Sequence, residues 1–189
     1  MKPKPAEKPF LTDVVQLRQR ARAHIGNGPV TPNYEGDAQQ TVAILQSVLA
    51  TEIVCWLRYT MNAVAAQGIN SEGVKGEFEE HAEDERQHAR QVADRINQLG
   101  GTPDMNPAGL ATKSAAEYVA AEKLVDMIRE NLVAERIACE HYRELVRFFG
   151  QRDPVTRIML ENILAKEEEH ANDMHDLLVA HEGKPGLAE

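Results

Sequence analysis

The sequence predicts an all-α protein: a four-helix bundle with a long crossover between its second and third long helices, and a helical extension at the N-terminus. Three observations predict it. Strand-like alternation of apolar and polar residues is nearly absent. Prolines gather at the start, near 29–32, at 103–107, at 154 and at 185, which leaves long proline-free stretches between them. Those stretches carry apolar residues at 3–4 spacing, the pattern that gives a helix one buried face.

The elements follow in order. LTDVVQLRQRARAHI reads as a short amphipathic helix from about Thr12 to Ile25, and GNGPVTPNYEGD as the loop after it. A long helix runs from about Asp37 to Gln67, where QGINSEG breaks it. The second runs from about Ser71 to Leu99 and stops at GGTPDMNPAG; KSAAEYVA then starts a helical turn. The third runs from about Glu122 to Phe149 and ends at Gly150. Asp153-Pro154 opens the fourth, as an N-cap followed by proline at the first helical position, and it continues to about His181.

Two of the three connections are short, and short connections make antiparallel hairpins. The middle connection, of about 22 residues, can stretch roughly 70 Å at ~3.3 Å per residue. That exceeds a helix length of about 40 Å, so it can run from one end of the bundle to the other. Residues 1–36 are read as the extension with its short helix, 37–182 as the bundle and 183–189 as a C-terminal tail.

At 189 residues the chain has the length of one domain. No segment approaches the ~18 uninterrupted apolar residues of a membrane helix, so no membrane partner is expected. The start lacks the apolar core of a secretory signal. A net charge of −9 opposes direct DNA binding, and the three lysines of MKPKPAEKP are too few to reverse it. Cys55 and Cys139 lie far apart with no C-x-x-C pairing, the usage of a cytoplasmic protein with free thiols.

The chemistry-bearing pattern lies in the acids and histidines. Two histidines have a glutamate three positions earlier, Glu85-x-x-His88 and Glu167-x-x-His170, and positions i and i+3 share a helix face. Each pair alone is a weak signal, equally consistent with a surface glutamate–histidine pair. Their depth within the hairpins is more informative. Glu167 lies about 14 residues after the turn at Arg152–Asp153, and the same distance back reaches Glu135. Likewise, His88 and Glu85 lie level with Glu52 across the break at Ile69–Asn70.

Tyr59 follows Glu52 by seven residues and Tyr142 follows Glu135 by seven, as in a duplicated half. Glu52 and Glu135 both sit in apolar surroundings, SVLATEIVCWL and NLVAERIAC, where an unpaired carboxylate is expensive to bury. A buried arginine is one way to satisfy them. The other is a pair of divalent cations held by four glutamates and two histidines, one Glu from each of two helices and Glu-x-x-His from each of the other two. In the acidic run KEEEHANDMH, Glu167 and His170 then point inward, while Glu168 and Glu169 belong to the solvated face or a neighbouring subunit. His81, Glu80 and His175 are read as surface residues; an iron entry site at His81 and Glu80, or an accessory ligand at His175, is the other reading.

Over about residues 45 to 182 the sequence resembles the bacterioferritin branch of the ferritin superfamily. The likeness is carried by ATEIVCWLRY, EEHAEDERQHARQVADRI, EKLVDMIRENLVAE with YREL, and LENILAKEEEH. The resemblance implies a ferritin-like bundle in which Glu52 and Glu135 are terminal ligands, Glu85 and Glu167 bridging ligands, and His88 and His170 nitrogen ligands. Tyr59 matches the tyrosine beside the diiron centre. Also implied are two iron ions per subunit, with manganese or zinc as substitutes, a ferroxidase that oxidises Fe(II) with O2 or H2O2, and storage of Fe(III) inside a homo-oligomeric shell of twelve or twenty-four subunits.

Arg86 stands where bacterioferritins carry the haem-binding methionine, so no haem is predicted. The long N-terminal extension and the cysteines beside the site look closer to the Dps-like, thioferritin-type members. In the ferritin topology Cys55 and Cys139 step away from the metal plane in opposite directions, which favours two separate thiols over a redox pair. The alternatives are a rubrerythrin-like diiron or dimanganese peroxidase or catalase, although rubredoxin-type cysteine pairs are absent, and a Dps-like DNA-protecting shell.

Overall fold

Local signals fix where each helix begins and ends in the computed structural model, which describes residues 13–68 and 71–182. Asp13 Oδ1 accepts a hydrogen bond from the Val15 N–H (2.7 Å) and opens α1, Val14–Arg22. A single 3-10 turn, Ile25–Asn27, follows. Asp37 Oδ1 accepts from Gln40 N–H (3.0 Å) and opens α2, Ala38–Ala65. The second long helix, α3, is Ser71–Gln98; Gly100 follows it at φ 82°, a left-handed conformation that glycine adopts without a Cβ clash.

Asn106 caps the short α4, Pro107–Lys113, with Pro107 in its first turn. α5, Leu124–Phe149, stops at Gly150, again at positive φ (49°). Asp153 Oδ1 accepts from Thr156 N–H (3.0 Å) and opens α6, Pro154–Glu182. Among the described residues there are no strands. The basic tip MKPKPAEKP, the Ile69–Asn70 break and the proposed C-terminal tail lie outside the described residues.

One expectation is corrected. KSAAEYVA is not helical beyond Lys113; the helical turn of the crossover lies earlier, as α4, and starts inside the stretch read as a loop. Its cue is Asn106-Pro107, the same cap-then-proline signal that opens α6.

The direction of each long helix follows from its contacts. Glu52 meets Tyr142 and Tyr59 meets Glu135, so α2 and α5 are antiparallel. Glu52 meets His88 while Tyr59 meets His81, so α2 and α3 are antiparallel. α3 and α5 therefore run the same way, and the chain between them must travel the length of the bundle. It does so strapped to α2. Gln46 Nε2 donates to Thr102 O (2.8 Å), Ser47 Oγ to Lys113 O (2.6 Å), and Ala115 N–H to Thr51 Oγ1 (2.9 Å). Arg58, buried, closes the strap by donating to Glu117 O (2.7 Å) and Glu130 O (2.6 Å).

The apolar interior is split in two. One cluster, with Leu45, Leu49, Ile96, Phe149 and Leu160, fills one end of the bundle. Another, with Val74, Phe78, Met127, Ile128 and Met174, fills the other. α2 is long and apolar enough to cross a membrane by composition, but 56% of its most apolar window is buried inside the bundle, as in a core helix. The N-terminal segment is tied to the first-named end by Tyr34 Oη, which donates to Asp153 Oδ2 (2.8 Å); Arg95 Nη2 pairs with Asp153 Oδ1 (2.9 Å) beside it. Removing one partner of a buried pair like Arg95–Asp153 typically costs ~3–5 kcal/mol.

Candidate metal centre

Between the two apolar clusters lies a polar layer. Glu52, Glu85, Glu135, Glu167 and His170 are each at most 1% exposed, and His88 is 6% exposed. α2 supplies Glu52, α3 Glu85 and His88, α5 Glu135, and α6 Glu167 and His170. The i, i+3 spacing puts each glutamate beside its histidine on one inward face. All six predicted ligands are thereby brought to one level.

The layer resolves into two overlapping sets of four. Glu52, Glu85, His88 and Glu167 place one ligand atom each within 4.8 Å of one another; Glu85, Glu135, Glu167 and His170 do the same. Glu85 and Glu167 belong to both sets, the pattern of two carboxylates shared between neighbouring ions. His88 Nδ1 lies 3.0 Å from Glu167 Oε1 and 3.2 Å from Glu52 Oε2. His170 Nδ1 lies 3.8 Å from Glu167 Oε2 and 3.9 Å from Glu85 Oε1.

These groups suit cations because the protein satisfies them so poorly. Both Glu85 oxygens, Glu135 Oε2 and His170 Nδ1 are buried without a hydrogen-bond partner, and Glu52 Oε2 and Glu167 Oε1 have only the His88 Nδ1 ion-pair contacts. Buried polar atoms are normally paired, so a cluster of orphaned donor atoms calls for an ion. Four glutamates and two imidazoles match borderline divalent cations such as iron, manganese or zinc.

Crowding shows in the proton affinities. Burial, then the Glu52 charge, pushes Glu85 well above the usual carboxylate range. Burial and Glu167 do the same to Glu135. Burial and Glu85 push Glu167 up to about 8. Burial alone would lower His88, but the Glu167, Glu52 and Glu85 carboxylates around it raise it well above the ordinary imidazole value. His170 goes the other way, to about 2, through burial and then the His81 and His88 charges.

The surrounding groups are ordered. Tyr59 Oη donates to Glu135 Oε1, and Tyr142 Oη to Glu52 Oε1, so each tyrosine serves the glutamate of the opposite half. Asp84 Oδ2 lies 3.2 Å from His170 Nε2, which leaves Nδ1 turned toward the carboxylates. Tyr142 was legible only as the repeat partner of Tyr59, and Asp84 had no separate signal within an acidic run.

Other expectations are met or corrected. Glu168 and Glu169 are exposed and pair with Arg143 (2.7 Å) and Lys166 (2.9 Å). His175 is exposed beside Asp176. His81, however, is not a surface residue: it is 2% exposed and stacks on His170 with ring centroids 3.9 Å apart. Its ion-pair contacts are Glu77 and Asp173, and Glu80 stays exposed. Cys55 and Cys139 are both unpaired thiols. Burial pushes both up, Cys139 to about 11, so both stay protonated at neutral pH. Cys55 packs with Ala116 and Ala134, while Cys139 lines a groove of about 740 Å³ between α5 and α6.

A four-helix bundle with this connectivity and a central carboxylate–histidine layer is the architecture of a carboxylate-bridged metal protein. The chain belongs to the ferritin-like family: residues 42–182 match the ferritin-like domain. A solved structure of the dodecameric thioferritin of Bacteroides fragilis, a bacterioferritin-related protein, superposes with a TM-score of 0.73 at 34% identity, covering 77% of this chain and 88% of that one.

Two curated relatives lie on the Dps-like side of the superfamily. The DNA protection during starvation protein of Pyrococcus furiosus is 27% identical over 159 residues, 79% of this chain and 86% of the relative. A nutrient stress-induced DNA-binding protein of Synechococcus is 32% identical over 132 residues, 67% of this chain and 74% of the relative.

Proposed function

We propose that the protein is an iron storage and detoxification protein whose buried layer is a ferroxidase centre. The observation that carries this reading is the pair of overlapping four-residue sets sharing Glu85 and Glu167. Glu52 and His88 would complete one Fe(II) position, and Glu135 and His170 the other. Two Fe(II) ions held side by side deliver two electrons to a single oxidant: with two protons they reduce O2 to H2O2, or H2O2 to two waters, and leave as Fe(III).

The chain's own residues prepare this chemistry. The carboxylates supply negative charge that favours the ferric state, while Tyr59 and Tyr142 keep Glu135 and Glu52 in fixed rotamers. The apolar clusters on either side exclude water. Because Glu85 and Glu167 hold protons well above the ordinary range, loading the site releases protons. We further infer a closed homo-oligomeric shell, supported by the likeness to the dodecameric Bacteroides thioferritin, with the bundle of residues 37–182 as its building unit.

The test is stopped-flow oxidation of Fe(II) by O2 and by H2O2 on wild type and on Glu85→Ala with Glu167→Ala. Rapid oxidation should vanish in the double variant while circular dichroism shows the same helical content. Unchanged kinetics would sink the reading. Faster turnover with H2O2, with no iron retained per particle, would move the site to the peroxidase class.

DNA protection is a second reading, favoured by the similarity to two proteins named for DNA protection and DNA binding. The net charge of −9 opposes it, and Lys2, Lys4 and Lys8 are the residues through which it would act. A gel shift at low and high salt, with and without residues 1–8, decides it.

A further inference from the structure

We propose that α1 is a docking helix that packs against the bundle of a second copy of this chain. α1 is amphipathic yet unpartnered: none of its residues is buried. Val14, Leu17 and Ala21, three and four positions apart, form one apolar stripe along it. Val14 is 57% exposed, Leu17 52%, and Ile25, in the turn that follows, 83%. Arg18 and Arg22 flank the stripe. Arg22 Nη1 donates to the Arg18 carbonyl (2.9 Å), and neither guanidinium meets a carboxylate among the described residues. A helix of nine residues with no packed face is marginal in water, because helices this short take their stability from a buried side.

The helix is held away from its own bundle's core. Arg20 Nη1 donates to Asn33 Oδ1 (3.0 Å), which closes residues 20–33 into a loop. Tyr34 Oη then fixes the end of that loop to Asp153 (2.8 Å). α1 is thereby presented at one end of the bundle with its apolar stripe exposed.

Charge names the occupant. Residues 14–34 carry three arginines and no Asp or Glu, in a chain whose net charge is −9. The acids lie on the bundle instead. Glu72 and Glu79 on α3 and Glu144 on α5 are exposed and without an ion pair among the described residues. Another copy of this chain therefore supplies what α1 lacks, carboxylates for Arg18 and Arg22 and exposed apolar side chains such as Val64 and Val133. A nucleic acid would meet the arginines but leave the stripe in water, so the stripe favours a protein surface. The contact rests on reading the protein as a homo-oligomeric shell, and it names an element that ties one copy to the next.

The test uses metal-free full-length protein, as wild type and as Leu17→Asp with Arg18→Glu and Arg22→Glu. Since α1 buries nothing, circular dichroism should show the variant's bundle still folded. Particle mass on serial dilution should show the variant falling apart at about tenfold or more higher protein concentration, a factor worth ~1.4 kcal/mol. In a second arm, a photo-crosslinking amino acid replaces Leu17 in particles co-assembled from isotopically light and heavy chains. Crosslinks should join light to heavy chains and land within residues 37–182 of the other copy. No light–heavy crosslink, or equal dissociation of the two proteins, overturns the docking and leaves the shell standing. A wild type that stays monomeric at every concentration sinks the shell and this contact with it. Equal dissociation with a DNA gel shift lost only in the variant overturns the docking and gives α1 to nucleic acid.

Discussion

Tyr142 on α5 donates its hydroxyl hydrogen to Glu52 on α2, and Tyr59 on α2 returns the same bond to Glu135 on α5. The exchange follows from the antiparallel pairing of the two helices and the seven-residue spacing from each glutamate to its tyrosine. Tyr59→Phe or Tyr142→Phe leaves a buried carboxylate oxygen without its donor, at a cost of ~1–3 kcal/mol. Each is expected to weaken Co(II) binding by about tenfold or more, on the scale of other outer-shell changes. Isothermal titration checks this, and the double variant should lose more than either single one.

Metal-free protein is expected to lose stability as pH rises from 6.5 to 8.5. Glu85, Glu135, Glu167 and His88 all have folded values raised above their ordinary ones. A raised group contributes stability that is complete below its unfolded value and is lost as pH climbs toward the folded one. His170 is lowered to about 2, so its contribution is lost only as pH falls below about 6.5, and it is silent in this window. Thermal melts at several pH values should show the fall, and saturating Co(II) should flatten it.

Asp84 acts through His170. Its Oδ2, 3.2 Å from His170 Nε2, selects the tautomer whose Nδ1 is free to bind a cation. Asp84→Asn is expected to weaken ion binding at the Glu135–His170 position by about ten- to a hundredfold, with little change at the Glu52–His88 position. A two-site fit to a titration separates the two. Equal weakening of both sites would refute this role for Asp84.

Arg58 on α2 clamps the crossover to α5, donating to Glu117 O in the crossover and to Glu130 O and Asn131 Oδ1 in α5. Arg58→Ala removes the donor shared by Glu117 O, Glu130 O and Asn131 Oδ1 and releases the stretch between α4 and α5. Limited trypsin digestion should then cut at Lys113 or Lys123 far faster than in wild type. The same pattern and rate of cutting in both proteins would count against the clamp.

The long helices were legible because proline and glycine mark their ends and apolar spacing marks their faces. The six central residues were legible because two Glu-x-x-His pairs and two lone glutamates lie at matching distances from two hairpin turns. What escaped the sequence depends on the partner helix. His81 sits in GEFEEHAED, a stretch that reads as solvated, and the packing of Tyr59 from α2 and His170 from α6 against it goes with its burial. Asp84 is one acid among several until His170 arrives opposite. α4 carried a readable Asn-Pro start, but seven residues with a glycine inside give too little periodicity to distinguish a helix from a loop.

The division of the interior into two apolar clusters decides how traffic reaches the middle. With Leu49 and Ile96 stoppering one end and Phe78 and Met174 the other, nothing hydrated can travel down the long axis. If the middle layer is the proposed ferroxidase centre, its ions and oxidants reach it between neighbouring helices rather than down the long axis. A substitution on such a flank can throttle turnover while every residue that grips an ion stays in place.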